Sequence, residues 1–342
     1  MNITTTTNLN AFTGQVSDPW GEWEIAHFTT YTGAVADPIP TDHGALIRDG
    51  ESYRIVITDG LGHHDPQAIG AVAAEVLNDV SKLSIAQQIE KARAESGAEL
   101  SEEDAYKCHL KSLAVAYKQR EGTTLLQVEI MRIGEKHLRI TIGKCGDSDL
   151  IVVNKKGKVR FATVDTKHHP KPNGVEIGLL AIGSNFSEKW LDDATYLKTE
   201  IKVKEAFIIA CSDGLTDCLR NNDGSIDRDR FRCAALTGHA LFTDEPIPPL
   251  PTLRLTPAMI SEHLQRAARG FAQRVQEKCQ LELRGRQLAP AHLAAELSRT
   301  HAGDDTTIIT LAVPSFSGSP AACSSSSSVI NDIEGIYYQN FE

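Results

Sequence analysis

No two cysteines in this sequence stand as Cys-x-x-Cys, although seven are present, at 108, 145, 211, 218, 233, 279 and 323. That spacing leaves zinc and dithiol redox motifs unsupported. An odd, unpatterned set of thiols points to a reducing compartment. Cys145 and Cys211 lie in apolar, strand-like runs and read as inert core residues. Positive charge is also in deficit: 35 Lys and Arg face 45 Asp and Glu, for a formal net charge of −10. Without a basic stripe the chain lacks the electrostatic footprint of a nucleic-acid binder. No stretch is long and apolar enough to span a bilayer. The opening Met1-Asn-Ile-Thr-Thr-Thr-Thr has neither the basic nor the apolar region of a signal peptide. What is present is ordinary globular composition, 41% hydrophobic and 23% charged over 342 residues. That suffices for one large domain with additions, or for two small ones.

The stretch around which the chain is organised is Ser52–His64. Tyr53–Thr58 reads as a strand with an apolar middle, and it ends in Asp59-Gly60-Leu61-Gly62. A carboxylate at the end of a buried strand sits on a rigid support, and the glycine beside it lets a ligand approach the backbone. This suits a hard metal ion, which takes carboxylate and carbonyl oxygens. An Asp-Gly turn is the competing reading of the motif alone. The theme returns at Glu205–Gly214, an apolar strand ending in Asp213-Gly214, and again at Asp304-Asp305, where an acidic pair opens a strand. Asp42 and Asp59 lie on consecutive strands joined by the tight turn Arg48-Asp-Gly-Glu, so both belong at one end of a sheet.

Along the chain, residues 1–19 are expected to be flexible, 20–314 to form the main domain, and 315–342 to be a Ser-rich tail. Residues 122–162 contain four strand-like segments in succession and read as an antiparallel meander. Ile85–Gln119 reads as helical, with Ser101 as an N-cap. Residues 165–200 read as irregular. The region 222–300 contains the proline-rich loop Thr243–Pro251, a helix opening at Thr256-Pro257 and running to about Cys279, and a further helix over 289–299.

The order of these pieces carries a resemblance. Asp42, Asp59-Gly60, Gly122-Thr-Thr, Gly146-Asp147-Ser148, Ser212-Asp213-Gly214-Leu-Thr-Asp and Asp304-Asp305-x-Thr together resemble the metal-dependent protein phosphatases of the PP2C (PPM) family, closest in form to bacterial members. The resemblance covers Trp20 to Val313. It implies an α+β fold, a four-layer α/β/β/α sandwich of two antiparallel sheets flanked by helices. It also implies two Mg²⁺ or Mn²⁺ ions. On the matching positions Asp59 would bridge both ions, Asp213 and Asp304 would hold the first, and Asp42 with the carbonyl of Gly60 would serve the second. Asp147 matches the position that supports a third, weaker ion in several relatives. The implied activity is hydrolysis of phosphoserine and phosphothreonine on proteins, by a monomer in a bacterial cytoplasm with no nucleic-acid or membrane partner. The polar Ser324–Ser328 run leaves export as an effector open.

Two departures bear on function. Much of the family places a phosphate-binding Arg a few residues before the first acidic ligand, whereas no Arg lies between Tyr31 and Asp42. Arg48, Arg54 and His63 are the candidate replacements, with Lys144, His43 and His64 behind them. A substrate with less charge at the scissile phosphate, such as a nucleotidyl (AMP) group on a protein, needs no such Arg and is the alternative activity. A catalytically silent phosphatase fold that serves as a binding module is the third reading. The second departure is the 222–300 insertion, expected to contact a protein substrate or partner, with Gly183–Thr199 matching the family's mobile flap.

Overall fold

The structure is a computed structural model, and it describes residues 8–18, 21–31, 40–49, 52–61, 65–118, 120–134, 137–164, 169–170, 176–177, 181–183, 188–202, 206–221, 225–242, 245–285 and 305–314. The chain opens with strands β1 (Asn8–Asp18), β2 (Gly21–Tyr31), β3 (His43–Asp49), β4 (Ser52–Thr58) and β5 (Gly60–Leu61). Helices α1 (Pro66–Ser81), α2 (Ile85–Ser96) and α3 (Glu102–Ala116) follow. Next come β6 (Gly122–Thr123), β7 (Leu125–Ile133), β8 (His137–Cys145), β9 (Asp149–Asn154), β10 (Val159–Ala162), β11 (His169–Pro170), β12 (Glu176–Ile177), β13 (Thr195–Lys202) and β14 (Ala206–Cys211). The chain continues through α4 (Asp213–Thr216), α5 (Arg228–Thr237), α6 (Pro257–Gly285) and β15 (Asp305–Ala312).

Two large antiparallel sheets result, one of six strands in the order β1-β2-β15-β14-β9-β10 and one of five in the order β13-β8-β7-β4-β3, beside the two-stranded pairs β5-β6 and β11-β12. Their facing sides are built by period-two patterning. Tyr53, Ile55 and Ile57 alternate inward from β4, as do Leu126, Val128 and Ile130 from β7 and Leu138, Ile140 and Ile142 from β8. These meet Leu150 and Val152, Ile208 and Ala210, and Ile309 and Leu311 from the six-stranded sheet. Trp23 packs on Tyr53 with ring centroids 4.5 Å apart. The outer face of the five-stranded sheet is covered by α1, α2 and α3 through Val72, Val76, Ile89, Tyr106 and Leu110. The outer face of the six-stranded sheet is covered by α5 and α6 through Phe231, Ala234, Ile260 and Leu264. The layers are therefore α/β/β/α, as expected.

Local chemistry sets the helix ends. Ser84 and Gln87 close a capping box at the start of α2, and Gly97 ends that helix in the left-handed region at φ 65°. Ser101 caps α3 as the sequence predicts, and Glu102, Glu103 and Asp104 face the positive end of its dipole.

Four features differ from expectation. Residues 8–18 are a strand rather than a flexible lead, paired with β2 along its length and seated through Phe12 on the inter-sheet core. The presumed meander is split: β7 and β8 lie in the five-stranded sheet, β9 and β10 in the six-stranded one. Periodicity reports which face of a strand is apolar, not which sheet it joins. Within the stretch read as irregular, β13 pairs with β8 from Thr195↔Lys144 to Lys202↔His137. It is an edge strand carrying Lys198, Glu200 and Lys202, and that charge hides its pattern. Finally, α6 continues to Gly285. The expected helix over 289–299 and the 315–342 tail lie outside the described residues.

Ile55 is fully buried between the sheets. Ile55→Ala is expected to lower unfolding stability by about 2–5 kcal/mol, read as a reduced urea midpoint with an unchanged m-value.

Candidate metal centre

The register of β3 with β4 pairs His43 with Thr58. Asp42, one residue before the first strand, and Asp59, one after the second, therefore emerge side by side. The other acids reach the same end from the opposite sheet. Asp147 lies in the crossover Gly146–Ser148 from β8 to β9, Asp213 opens α4 directly after β14, and Asp305 opens β15. All five are buried. Carboxylate oxygens of Asp59, Asp147 and Asp213 lie within 4.8 Å of one another. The Asp42 carboxylate is buried beside Asp59 and Ser212, and among the described residues neither of its oxygens has a hydrogen-bond partner.

Each acid is held by its backbone. The carbonyl of Asp59 accepts from Thr124 N at 2.8 Å and Thr123 Oγ1 at 2.9 Å, which gives the Gly122-Thr-Thr motif its role. Gly60 N donates to Thr41 O at 3.2 Å. A Cβ on Gly60 would stand 2.9 Å from that oxygen and 2.5 Å from Ile69, so the position requires glycine. Asp305 Oδ2 accepts from Thr41 N at 2.5 Å, Thr41 Oγ1 at 3.1 Å and Asp42 N at 3.3 Å, clamping the entry to β3. Ser212 N donates to Thr307 O at 3.0 Å, and Thr307 N donates back to Ser212 Oγ at 2.9 Å, so β15 fixes the residue before Asp213. A Cβ on Gly214 would fall 2.0 Å from Asp305 O, which explains that glycine as well.

Behind Asp147 lies an ion triad absent from the sequence reading. Asp149 Oδ1 receives Lys144 Nζ at 2.6 Å and Asp149 Oδ2 receives Arg220 at 2.8 Å, with all three side chains buried. Thr163 Oγ1 adds a bond to Asp149 at 2.6 Å. Arg220 also donates to the Asp147 carbonyl, and to Thr216 Oγ1 at 2.9 Å on α4. One guanidinium thus ties the Asp147 crossover to the helix that Asp213 begins. The signal was legible: Asp149 opens the apolar run Leu-Ile-Val-Val, and a buried acid in such a strand demands a cation.

The remaining candidates divide clearly. Gly60 lies at the acidic end with Asp42, Asp59, Asp147 and Asp213. Asp304 and His63 lie outside the described residues, as does His64. Arg48 pairs with Tyr53 at the far end of the hairpin. Arg54 donates to the carbonyls of Ser81 and Leu83 at 3.0 and 2.8 Å, closing the C-terminal end of α1 about 16 Å along the strand from Asp59. As phosphate-binding candidates both are corrected: strand register carries them away from the acids. Lys144 is committed to Asp149, and His43 Nε2 contacts the Gly70 carbonyl at 3.1 Å.

The donor set fits hard divalent cations: several buried carboxylates from separate segments, with the triad's net positive charge only behind them. Without a cation the acids penalise one another. Burial, and then the charge of Asp305, raises Asp42 to about 7. Burial likewise raises Asp305 above the usual carboxylate range.

No family model matches the chain, and no curated protein matches it. Among solved structures it is similar to RsbX in complex with magnesium, at 11% identity and a TM-score of 0.45 over 89% of this chain and 100% of that one. It is similar to a bacterial serine phosphatase at 16% identity and a TM-score of 0.45, over 86% of this chain and 99% of that one. It is also similar to the PPM Ser-Thr phosphatase MsPP from Mycobacterium smegmatis in complex with cacodylate, at 12% identity and a TM-score of 0.38 over 90% and 100%.

Two outcomes are expected from this geometry. Asp42 binds its proton more tightly folded than unfolded, so it adds stability to the metal-free protein at low pH that is lost as pH rises through about 7. Thermal unfolding in EDTA should therefore show Tm falling from pH 5 toward 8 relative to Asp42→Asn, and Mn²⁺ should reverse the fall. Arg220→Ala should cost about 3–5 kcal/mol, because it leaves a buried charge network short of one partner. It should also broaden the spectrum of bound Mn²⁺ in electron paramagnetic resonance, whereas Ile55→Ala should not.

Proposed function

We propose that the chain is a metal-dependent phosphoester hydrolase acting on phosphoserine and phosphothreonine of proteins. The observation that carries the reading is the meeting of Asp59, Asp147 and Asp213, three buried carboxylates from three separate segments, within 4.8 Å. Asp59 would serve two Mg²⁺ or Mn²⁺ ions, with Asp213 and Asp304 holding the first, Asp42 and the Gly60 carbonyl the second, and Asp147 a weaker third. Bound there, such a pair supplies a hydroxide at neutral pH and stabilises charge on the phosphoryl oxygens.

The chain's own residues do the rest. Asp305 fixes Asp42 through the backbone of Thr41 and Asp42, so the second position is preset before any ion arrives. Thr123 and Thr124 fix Asp59 from its carbonyl and leave its carboxylate to face the site. Gly60, with no side chain, lets the chain leaving Asp59 pack directly on Thr41 and Ile69, where a Cβ would clash. Preorganised ligands spare the site reorganisation when the phosphoryl group is attacked.

A second reading is removal of a nucleotidyl group from a protein, in which the scissile phosphate carries one charge fewer. The placement of Arg48 and Arg54 at the far end of the hairpin favours it, since neither is positioned for a phosphate dianion. A silent binding module is the reading with least support, because such a module has no use for converging buried carboxylates.

Hydrolysis of an aryl phosphate by the purified chain should require Mn²⁺, cease with EDTA, and fall at least about 10²-fold in Asp59→Asn and Asp213→Asn. Hydrolysis of an AMP-modified peptide with no action on phosphopeptides would select the second reading. A folded protein that binds no Mn²⁺ by calorimetry would overturn both.

A further inference from the structure

We propose that the loop Pro246–Arg254 is a preformed polyproline II ligand for an SH3-type groove, lined by aromatic side chains and carrying an acidic residue at one end. Four of the six residues in Pro246-Ile-Pro-Pro-Leu-Pro251 are proline, and the other two each precede one. Proline fixes φ near −65°, and a residue before proline is driven from the helical region into extended conformation. Proline thus fixes φ at 246, 248, 249 and 251, Ile247, Pro248 and Leu250 are each held extended by the proline that follows, and the structure has neither helix nor strand there, a combination that favours polyproline II geometry.

The segment is displayed rather than packed away. Pro246, Ile247, Pro248, Pro249 and Pro251 are exposed, and Ile247 retains 44% of its surface. Only Leu250 turns onto the core cluster beneath. Polyproline II repeats every three residues, so Pro248 and Pro251 share one edge, and Arg254, also exposed, stands three residues further on. Two prolines at that spacing followed by a cation suit two aromatic slots and an acidic one.

Both ends of the display are fixed. Glu245 receives Arg274 of α6 at 2.8 and 3.0 Å and accepts from Phe242 N at 2.7 Å. The Arg274 guanidinium lies 4.5 Å from the Phe242 ring centroid, and Phe242 stacks on Phe271 at 5.0 Å. At the other end Leu255 is buried and Thr256 Oγ1 accepts from Met259 N at 3.2 Å, starting α6. A ligand held in its bound conformation avoids most of the ordering cost that a free peptide meets on binding.

The test presents the immobilised full chain to a panel of purified SH3 domains in biolayer interferometry. At least one domain should bind saturably and lose about tenfold or more in affinity against Pro248→Ala/Pro251→Ala and against Arg254→Glu, each verified as folded by circular dichroism. Binding should persist in Asp59→Asn, and the loop variants should retain aryl-phosphate hydrolysis, so that this outcome is independent of the proposed activity. No binding by any domain of the panel, or binding indifferent to these substitutions, would overturn the proposal.

Discussion

Several carboxylates must share one buried volume, and this electrostatic demand governs the architecture. A single strand alternates its side chains between faces and cannot surround a cation. The acids accordingly arrive from both sheets, each where a strand begins or ends: Asp42 before β3, Asp59 after β4, Asp147 between β8 and β9, Asp213 after β14 and Asp305 at the head of β15. Their mutual repulsion in a low-dielectric site works against folding until a counter-charge is supplied. The chain meets part of that demand with backbone donors. Asp305 takes the amides of Thr41 and Asp42, so one acid is stabilised while it positions another. Arg220 and Lys144 converge on Asp149 and place positive charge behind Asp147.

The same end of the sandwich is where the chain passes between sheets. The segment from β2 to β3 and the turn from β8 to β9 both leave one sheet and enter the other there. Crossovers interrupt the ladder and leave backbone groups to be satisfied one by one. Glycine appears where neighbouring segments press on this end: Gly70 of α1 sits where a Cβ would meet Pro40 O at 2.4 Å, and Gly183 where it would meet Glu121 O at 2.4 Å, beside β6. The inter-sheet core carries the cohesion, and the crossover end carries the strained electrostatics. A scaffold so divided can tolerate an acidic site without losing its packing.

Much of this could be read in the sequence because strand ends announce themselves. An apolar run closed by Asp-Gly gave both Asp59 and Asp213 their settings, and Ser101 marked the start of α3. What escaped was anything determined by register or by sheet membership. Arg48 and Arg54 are close to Asp59 along the chain, yet pairing of His43 with Thr58 sends them to the opposite end. Arg220 lies 73 positions from Asp147 and no spacing rule links them; only the fold brings the guanidinium to that carbonyl. Within the acidic pair the resemblance assigns a ligand role to Asp304, whereas only the fold shows Asp305 clamping the backbone of Thr41 and Asp42.

The 222–300 insertion is expected to contact a protein substrate or partner, and its described part is also integrated into the fold. Phe231, Ala234, Ile260 and Leu264 cover the outer face of the six-stranded sheet, so α5 and α6 are a layer of the fold. Removing them would expose Ile151, Val153, Ile209 and Ile308 to water, at about 25 cal/mol for each Å² of apolar surface. The insertion also reaches inward. Arg230 of α5, itself buried, donates to Leu241 O at 3.0 Å, Cys218 O at 2.6 Å and Arg220 O at 3.2 Å. It therefore shapes the turn from which Arg220 extends to Asp147. A contact made on this layer has a continuous hydrogen-bonded route to the acidic site, running through Arg230, the 218–220 turn and Arg220. Facing solvent in its described part is the proline loop, among other residues, and the loop's fixed ends lie on α6 and on the same Ala240–Phe242 segment that Arg230 holds. Recognition and site assembly thus meet in one short stretch of chain, which gives an insertion at this point in the fold a physical role beyond added surface.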